Sequence, residues 1–337
     1  MHFAYPPRKN SNPPPFKQRS SQIPPILRRI RKRTALLLLL GAIGFIFFLF
    51  GLKGETPYRE HVPSGNPPVV VVTVLDNTQY SDTYLESIRH NREQYASRHG
   101  YEAMIVQATD YDTGKSPRSW AKIIAMRHAL SKYPDATYVW FLDQNAYIME
   151  LDKKLEEQVM NPAKLESLMI KDWSIVPPDS IIKTFSHLKG EDAGLVISQD
   201  EAGLVTNSYI LKNGEWAKFF IETWMDPLYQ SYNFQKAERH ALVSFTLSHL
   251  SRTRPNLVKE HIVQWHPTIL SKLALIPQRT FASYGRNKEG NAYRDGDFVT
   301  LLVDCTVTGP TSCDKQSHFY LQQLKNKFGD ASVKKLQ

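Results

Sequence analysis

Only two cysteines, Cys305 and Cys313, occur in 337 residues, which excludes a small scaffold stapled by several disulfides. No second cysteine pair or nearby histidine set completes a tetrahedral metal site around them. No Gly-x-Gly-x-x-Gly follows the first β-branched run, so a dinucleotide cofactor is disfavoured. No internal repeat is visible, and there is no Asn-x-Ser/Thr acceptor, an absence silent on compartment. Acidic residues are missing from residues 1–33, which hold Arg8, Lys9, Lys17, Arg19, Arg28, Arg29, Arg31, Lys32 and Arg33. The formal charge is +9, and setting those nine aside leaves 33 basic against 33 acidic residues. The body is therefore neutral, which removes the main support for a nucleic-acid partner.

What is present begins with one long apolar run. ALLLLLGAIGFIFFLFGL, Ala35 to Leu52, is eighteen residues without a charge, close to the about 20 a helix needs to cross a bilayer. A cleaved signal peptide has a shorter apolar core, about 7–15 residues, and lacks so long a polar leader. A membrane-spanning helix is the expectation. The RRIRKR cluster at Arg28–Arg33 lies directly before it, so the positive-inside rule keeps the N-terminus cytosolic and sends the rest to the lumen, a type II topology. Residues 1–34 carry proline pairs or triplets at Pro6, Pro13 and Pro24 and read as a disordered cytosolic tail. Residues 53–68, KGETPYREHVPSGNPP, have no apolar period and read as a stem. The folded domain is expected over 69–325, with 326–337 as a C-terminal tail. Cys305 and Cys313 would lie where disulfides persist, bracketing a Gly309-Pro310 turn, which favours a local disulfide over two free thiols.

VVVVTVLD, Val69–Asp76, is a continuous β-branched run, the pattern of a strand buried on both faces of a parallel sheet. Asp82 is a plausible N-cap for a helix carrying Leu85, Ile88 and Tyr95 on one face and stopped by Gly100. Tyr101–Gln107 reads as a second strand. Ser119 is expected to open a second helix with Ile123, Ile124, Met126 and Leu130, ended by Pro134, and Thr137–Asp143 reads as a third strand. This alternation is half a Rossmann unit, with a mostly parallel sheet flanked by helices as the consequence. Ligands bind such sheets beyond the carboxyl ends of the strands, where Asp143, Gln144 and Asn145 sit.

Asp-x-Asp at a strand end places two carboxylates to hold a hard divalent cation, Mn2+ or Mg2+, that also bridges a nucleotide diphosphate. Such a cation neutralises charge as the diphosphate leaves, as glycosyl transfer from a sugar nucleotide requires. Here the second position is Asn145, whose amide ligates but brings no charge. Alone, the triplet reads as a polar strand-end turn more readily than as a metal site. No carboxylate pair announces a double-displacement nucleophile.

Several stretches, taken in order, resemble the fungal family 34 glycosyltransferases. They are Ser119–Met149 (SWAKIIAMRHALSKYPDATYVWFLDQNAYIM), Gly203–Pro227, Ala237–Leu250, Glu260–Leu270 and Tyr293–Cys305. Within that family the sequence is most similar to the mannan polymerase II subunits that extend the α-1,6-mannose backbone of cell-wall N-glycans. The resemblance implies a GT-A fold behind an N-terminal transmembrane anchor, in the Golgi membrane. It implies retaining transfer from GDP-mannose, or from UDP-galactose as in the family's galactosyl members, to a mannan acceptor, with paralogous subunits as partners.

Carried over by position, the resemblance puts Asp143 and Asn145 on the metal and donor-diphosphate pair, with Mn2+ as cofactor. Trp120 and Lys122, in SWAK, and Gln144 and Asn207, in VTNSYIL, fall in the donor region. Glu238 falls near an acidic patch beside the sugar in plant relatives, although Arg239 replaces a glutamine there. Asp297, in YRDGDF, lies in a matched motif and joins Glu238 as a catalytic candidate. Trp265 and His266, in VQWHPTIL, are candidates for stacking an acceptor sugar, and His266 also for the metal. In active relatives a histidine four residues before the first C-terminal cysteine completes the metal site; here that position is Leu301. Glu191, Asp192 and Asp295 read as solvated loop acids. Altered ligands at 145 and 301 leave two roles open, an independent transferase or a subunit supporting an active paralogue.

Overall fold

The β-branched run forms β1 (Val69–Leu75), and its alternation decides the layering. In the computed structural model, Val69, Val71 and Leu75 face one apolar core while Val70 and Val72 face a second. Each side chain so buried contributes about 1.5–3 kcal/mol, which pins the strand at the centre of the molecule. The structure describes residues 32–51, 61–175, 183–201, 203–227, 230, 237–242, 267–285, 290–303 and 305–332.

The chain divides into two units, Met1–Arg59 and Glu60–Gln337. The first contains α1 (Lys32–Gly51), in which Leu36–Leu40 and Phe45–Phe48 are exposed apolar side chains. Among the described residues no helix is long and apolar enough to cross a membrane. The expected span, 35–52, extends beyond the side chains described there, which are Thr34 and those of residues 36–48.

In the second unit β1 leads into α2 (Asp82–His99). Its N-cap is Ser81, one residue before the expected Asp82; the Ser81 hydroxyl accepts the Tyr84 N–H at 3.3 Å, and Asp82 sits in the first turn, where the helix dipole favours a negative charge. Gly100 ends the helix at φ 68°, a left-handed conformation that a Cβ would oppose. After β2 (Glu102–Gln107), a 3-10 turn at Arg118–Trp120 leads into α3 (Ala121–Lys132), so Ser119 lies in that turn rather than at a helix cap. Then come β3 (Tyr138–Leu142), β4 (Ala146–Ile148), α4 (Pro162–Leu168), β5 (Leu195–Asp200), β6 (Gly203–Lys212), α5 (Glu215–Trp224) and α6 (Ala237–Leu242). The remainder comprises α7 (Pro267–Leu270), β7 (Leu273–Ile276), β8 (Ser283–Tyr284), β9 (Val299–Leu301) and α8 (Cys313–Phe328).

The main sheet has the order β2-β1-β3-β6-β5-β7. β1 runs parallel to β2 and β3, and β7 parallel to β5, while β6 is antiparallel to both its neighbours. The sheet is thus mostly parallel, but its first half is not a Rossmann half, in which β2 would separate β1 from β3. With β1 in the middle, α2 and α3 pack on opposite faces: Ile88 and Tyr95 enter one core, Ile123 and Met126 the other. The switch point therefore falls between the carboxyl ends of β1 and β3. A second sheet, β4-β9-β8, closes over the α2 side.

Two boundaries differ from those read along the chain. α8 runs to Phe328, and His90 and Gln94 of α2 hydrogen-bond the Ala331 carbonyl, so residues 326–332 belong to the folded unit. The end of the stem also joins it, with the Gly65 N–H donating to the Asp135 carbonyl at 2.8 Å. Cys305 and Cys313 form a disulfide with their Cα atoms 4.9 Å apart, tethering the loop after β9 to the start of α8.

Candidate active site

At the switch point a cavity of about 190 Å³ is lined by Asp76, Arg118, Ser119, Lys122, Asp143 and Gln144, among others. These polar groups arrive from four places: Asp76 just past β1, Arg118 and Ser119 from the turn before α3, Lys122 from α3, and Asp143 and Gln144 just past β3. The Gln144 side-chain carbonyl accepts the Asp76 N–H at 2.7 Å, which ties the two strand ends together. Arg118 contacts both the Asp76 carboxylate, at 3.4 Å, and the Thr78 hydroxyl. Sequence reading missed Asp76 and Arg118. The signal for Asp76 was its place at the end of β1, equivalent to that of Asp143 on β3.

Lys122 and Glu238 form a buried ion pair, Nζ to Oε1 2.6 Å, joining α3 to α6. Burial pushes the Lys122 ammonium down, but Glu238 and then Asp143 outweigh it and the net shift is upward. Burial likewise pushes the Glu238 carboxyl up, and Lys122 reverses it to a net lowering. Both groups are thus charged at neutral pH, and Glu238 Oε2 is a buried acceptor with no partner among the described residues. Glu238 and Lys122, read separately along the chain, are brought together here. Arg239, which replaces the family glutamine, pairs instead with Asp200 and donates to the Gly203 carbonyl.

The Asp143–Asn145 turn is held from several sides. The Asp143 N–H donates to the Asn207 carbonyl at 2.8 Å, so Asn207 positions the turn through its backbone. Asp143 Oδ1 accepts the Asn145 N–H at 2.9 Å. The Asn145 carboxamide is engaged on both sides: Oδ1 accepts from the Tyr84 hydroxyl at 3.0 Å and Nδ2 donates to the Tyr80 hydroxyl at 3.2 Å. The question posed by the triplet is thereby answered, since Asn145 serves as a turn anchor against α2.

Among the described residues this turn does not by itself complete the expected Mn2+ site, and His266, the further candidate ligand, lies outside them. Asn145 is tied to two tyrosines, Asp143 has one oxygen already engaged, and Leu301 pairs with Ala146 across β9 and β4 at 1% exposure. The third position is thus next to the turn, as the resemblance requires, but presents an alkyl chain to the core. Among the described residues no three His, Cys, Asp or Glu side chains converge.

Beneath the turn lies Arg92, fully buried and also missed by sequence reading. Its guanidinium donates to the carbonyls of Asp143 (2.9 Å) and Ala146 (2.8 Å), to Thr73 Oγ1 (3.2 Å) and to Asn91 Oδ1 (2.6 Å). Burial lowers it to about 10, still charged at neutral pH. Among the described residues it faces no carboxylate within ion-pairing distance, so its planar fork acts by hydrogen-bonding the carbonyls of the turn. Arg92→Lys, which cannot span those acceptors, is expected to lose about 2–3 kcal/mol of unfolding free energy in denaturant titration. Wild-type stability in that variant would refute this role.

The other candidates lie elsewhere. Trp120 is 2% exposed and packs in the α3-side core, so its indole offers no face to a ligand. Asp297 is held by Arg279, at 2.7 Å, and by the Arg294 N–H, and it lines no cavity described here. Trp265 and His266 lie outside the described residues.

Comparison with known proteins shows the family. The model of the galactosyl transferase GMA12/MNN10 family matches residues 65–259 and 256–312. An uncharacterized alpha-1,2-galactosyltransferase of Schizosaccharomyces pombe is 30% identical over 280 residues, which is 81% of this chain and 80% of that protein. The probable alpha-1,6-mannosyltransferase MNN11 of Saccharomyces cerevisiae is 26% identical over 293 residues, 81% of this chain and 65% of that one. Among solved structures, a glycosyltransferase involved in the glycosylation of the major capsid of PBCV-1 aligns with a TM-score of 0.46 at 11% identity, over 76% of this chain and 100% of that one. A family match that runs over well more than half of its residues makes this chain a glycosyltransferase of the galactosyl transferase GMA12/MNN10 family.

Proposed function

We propose that the chain is a Golgi type II α-1,6-mannosyltransferase, a subunit of a mannan polymerase complex that transfers mannose from GDP-mannose to the mannan backbone of N-glycans with retention. The observation that carries the reading is the switch-point cavity, where Arg118 and Lys122 stand beside Asp143. Two cations on one wall suit the diphosphate of a sugar nucleotide, and the carboxylates and Gln144 suit its hydroxyl groups. For retaining transfer the acceptor hydroxyl attacks on the face the diphosphate leaves, and the departing phosphate oxygen takes its proton. Lys122, kept charged by Glu238, faces the negative charge that develops on that leaving group. No step is assigned to a metal ion.

The uncharged apolar run Ala35–Leu52 supports the anchor, being close to the about 20 residues that a bilayer-spanning helix needs. The basic cluster Arg28–Arg33 supports a cytosolic N-terminus. Two observations favour other readings. The 30%-identical relative is named an alpha-1,2-galactosyltransferase, which favours UDP-galactose as donor. The tyrosine-bound Asn145 and buried Leu301 favour a subunit that works beside an active paralogue.

The test is an assay of the full chain in detergent with GDP-mannose and with UDP-galactose on an α-linked mannose oligosaccharide. Product linkage and anomeric configuration are read by NMR. Mannose transfer in α-1,6 linkage is expected; galactose transfer alone overturns the donor, and turnover only after adding a paralogue selects the subunit role. Protease protection in sealed vesicles checks the topology, with the folded unit expected to resist digestion until the membrane is opened.

A further inference from the structure

A second cavity, of about 470 Å³, opens where β5 and β7 end, with Trp173, Gln199, Asp200, Glu201, Gln278 and Asn291 in its wall. Its volume falls within the range of small-molecule sites. Trp173 is 57% exposed, a large aromatic face the core does not use. Beside it stand amides with spare capacity. Gln199 donates Nε2 to the Ser174 carbonyl at 3.2 Å, and its Oε1 has no partner among the described residues. Asn291 donates Nδ2 to Gln278 Oε1 at 2.6 Å, which leaves its own side-chain oxygen to accept.

Charge separates the two cavities. Among the described residues no lysine or arginine lines the second, and Asp200 is already held by Arg239 and the Tyr284 hydroxyl. Among the described wall residues a phosphate finds no cation. A neutral polyhydroxylated ring finds an apolar indole face for its C–H groups and amides for its hydroxyls.

Position links them. β1, β3, β5 and β7 all end on the same edge of the sheet, with the start of antiparallel β6 between. Across that gap two consecutive residues of α6 form a bridge: Glu238 pairs with Lys122 of the first cavity, and Arg239 with Asp200 of the second. The free Glu238 Oε2 lies at this junction.

We propose that this second cavity, faced by Trp173, is the acceptor subsite, where a neutral hexose of the oligosaccharide stacks on the indole while the hexose to be extended reaches the Glu238 junction. The inference rests on reading the chain as a transferase acting on a glycan. Its test uses binding as well as turnover, so that the two fail separately. The full chain in detergent is titrated by calorimetry with an α-linked mannose oligosaccharide, without donor, for wild type, Trp173→Ala and Trp173→Phe. Binding about tenfold weaker in Trp173→Ala and largely kept in Trp173→Phe is the expected result. In the transfer assay, Trp173→Ala is expected to raise the acceptor KM by a similar factor and leave the donor KM and kcat unchanged. Thermal melting near wild type is expected because the side chain is exposed. Equal oligosaccharide affinity in wild type and Trp173→Ala, or no affinity in either, overturns the proposal even if transfer is observed. Loss of transfer with the binding difference intact leaves the subsite standing and refutes only the catalytic reading.

Discussion

Asp143→Asn is expected to lower kcat/KM for sugar transfer by about 10²–10³-fold while melting close to wild type. The reason lies in the two oxygens of the carboxylate. Oδ1 accepts the Asn145 N–H, and an asparagine oxygen can replace it, so the turn that closes β3 survives. What disappears is the negative charge in a crevice that also holds Arg118 and Lys122. That charge would orient the donor's hydroxyls and helps keep Lys122 protonated, so its loss is felt in the transition state more than in the fold. Asp143→Ala removes the turn contact as well and is expected to cost about a further 1 kcal/mol of stability. The measurements are steady-state transfer kinetics and thermal melting. Wild-type turnover in Asp143→Asn would take the residue out of the mechanism.

Breaking the Lys122–Glu238 pair is expected to cost more stability than any other single polar change at the site. Glu238→Gln leaves a buried ammonium without its carboxylate, a defect of about 3–5 kcal/mol at neutral pH. The pH dependence follows from the two shifts. Glu238 lies below the ordinary carboxylate value when folded, so its contribution is present above that value and is lost as pH falls through the folded one. Lys122 lies above its ordinary value, so its contribution is full below that value and is lost as pH rises through the folded one. The stability gap between wild type and Glu238→Gln is therefore widest around neutral pH and narrows in the alkaline range, where Lys122 loses its proton. Denaturant titrations at several pH values check this. The double variant Lys122→Met, Glu238→Leu is expected to recover much of the stability without recovering transfer. A flat gap across that range would mean that the pair does not hold α6 against α3.

Part of this molecule can be read along the chain because the physics is local. Val69–Leu75 reads as a doubly buried strand, since β-branched residues run along both of its faces and Thr73 alone carries a polar atom. Gly100 could be read as a helix stop and Asp143 as a strand end for the same reason, that backbone sterics and burial period act over a few residues. Neighbours on the chain also made the Cys305–Cys313 pairing legible.

Other features depended on which distant segments meet. Arg92 reads as one more polar residue in a helix; only the approach of β3 and β4, more than fifty residues on, makes it the support of the Asp143 turn. Asn145 looked like a weakened metal ligand until Tyr80 and Tyr84, some sixty residues away, occupied both ends of its amide. The resemblance put Trp120 in the donor region, and nothing in the local sequence says that packing will cover it. Strand order was likewise invisible, because β2-β1-β3 and β3-β2-β1 require the same sequence of elements and differ only in which face each crossover helix packs against. Hydrophobic period and backbone stereochemistry thus settled the elements and the strand end that bears Asp143. The crevice, its buried ion pair and the occupation of Asn145 were decided by packing between segments far apart on the chain, where burial is shared among partners that no local pattern specifies.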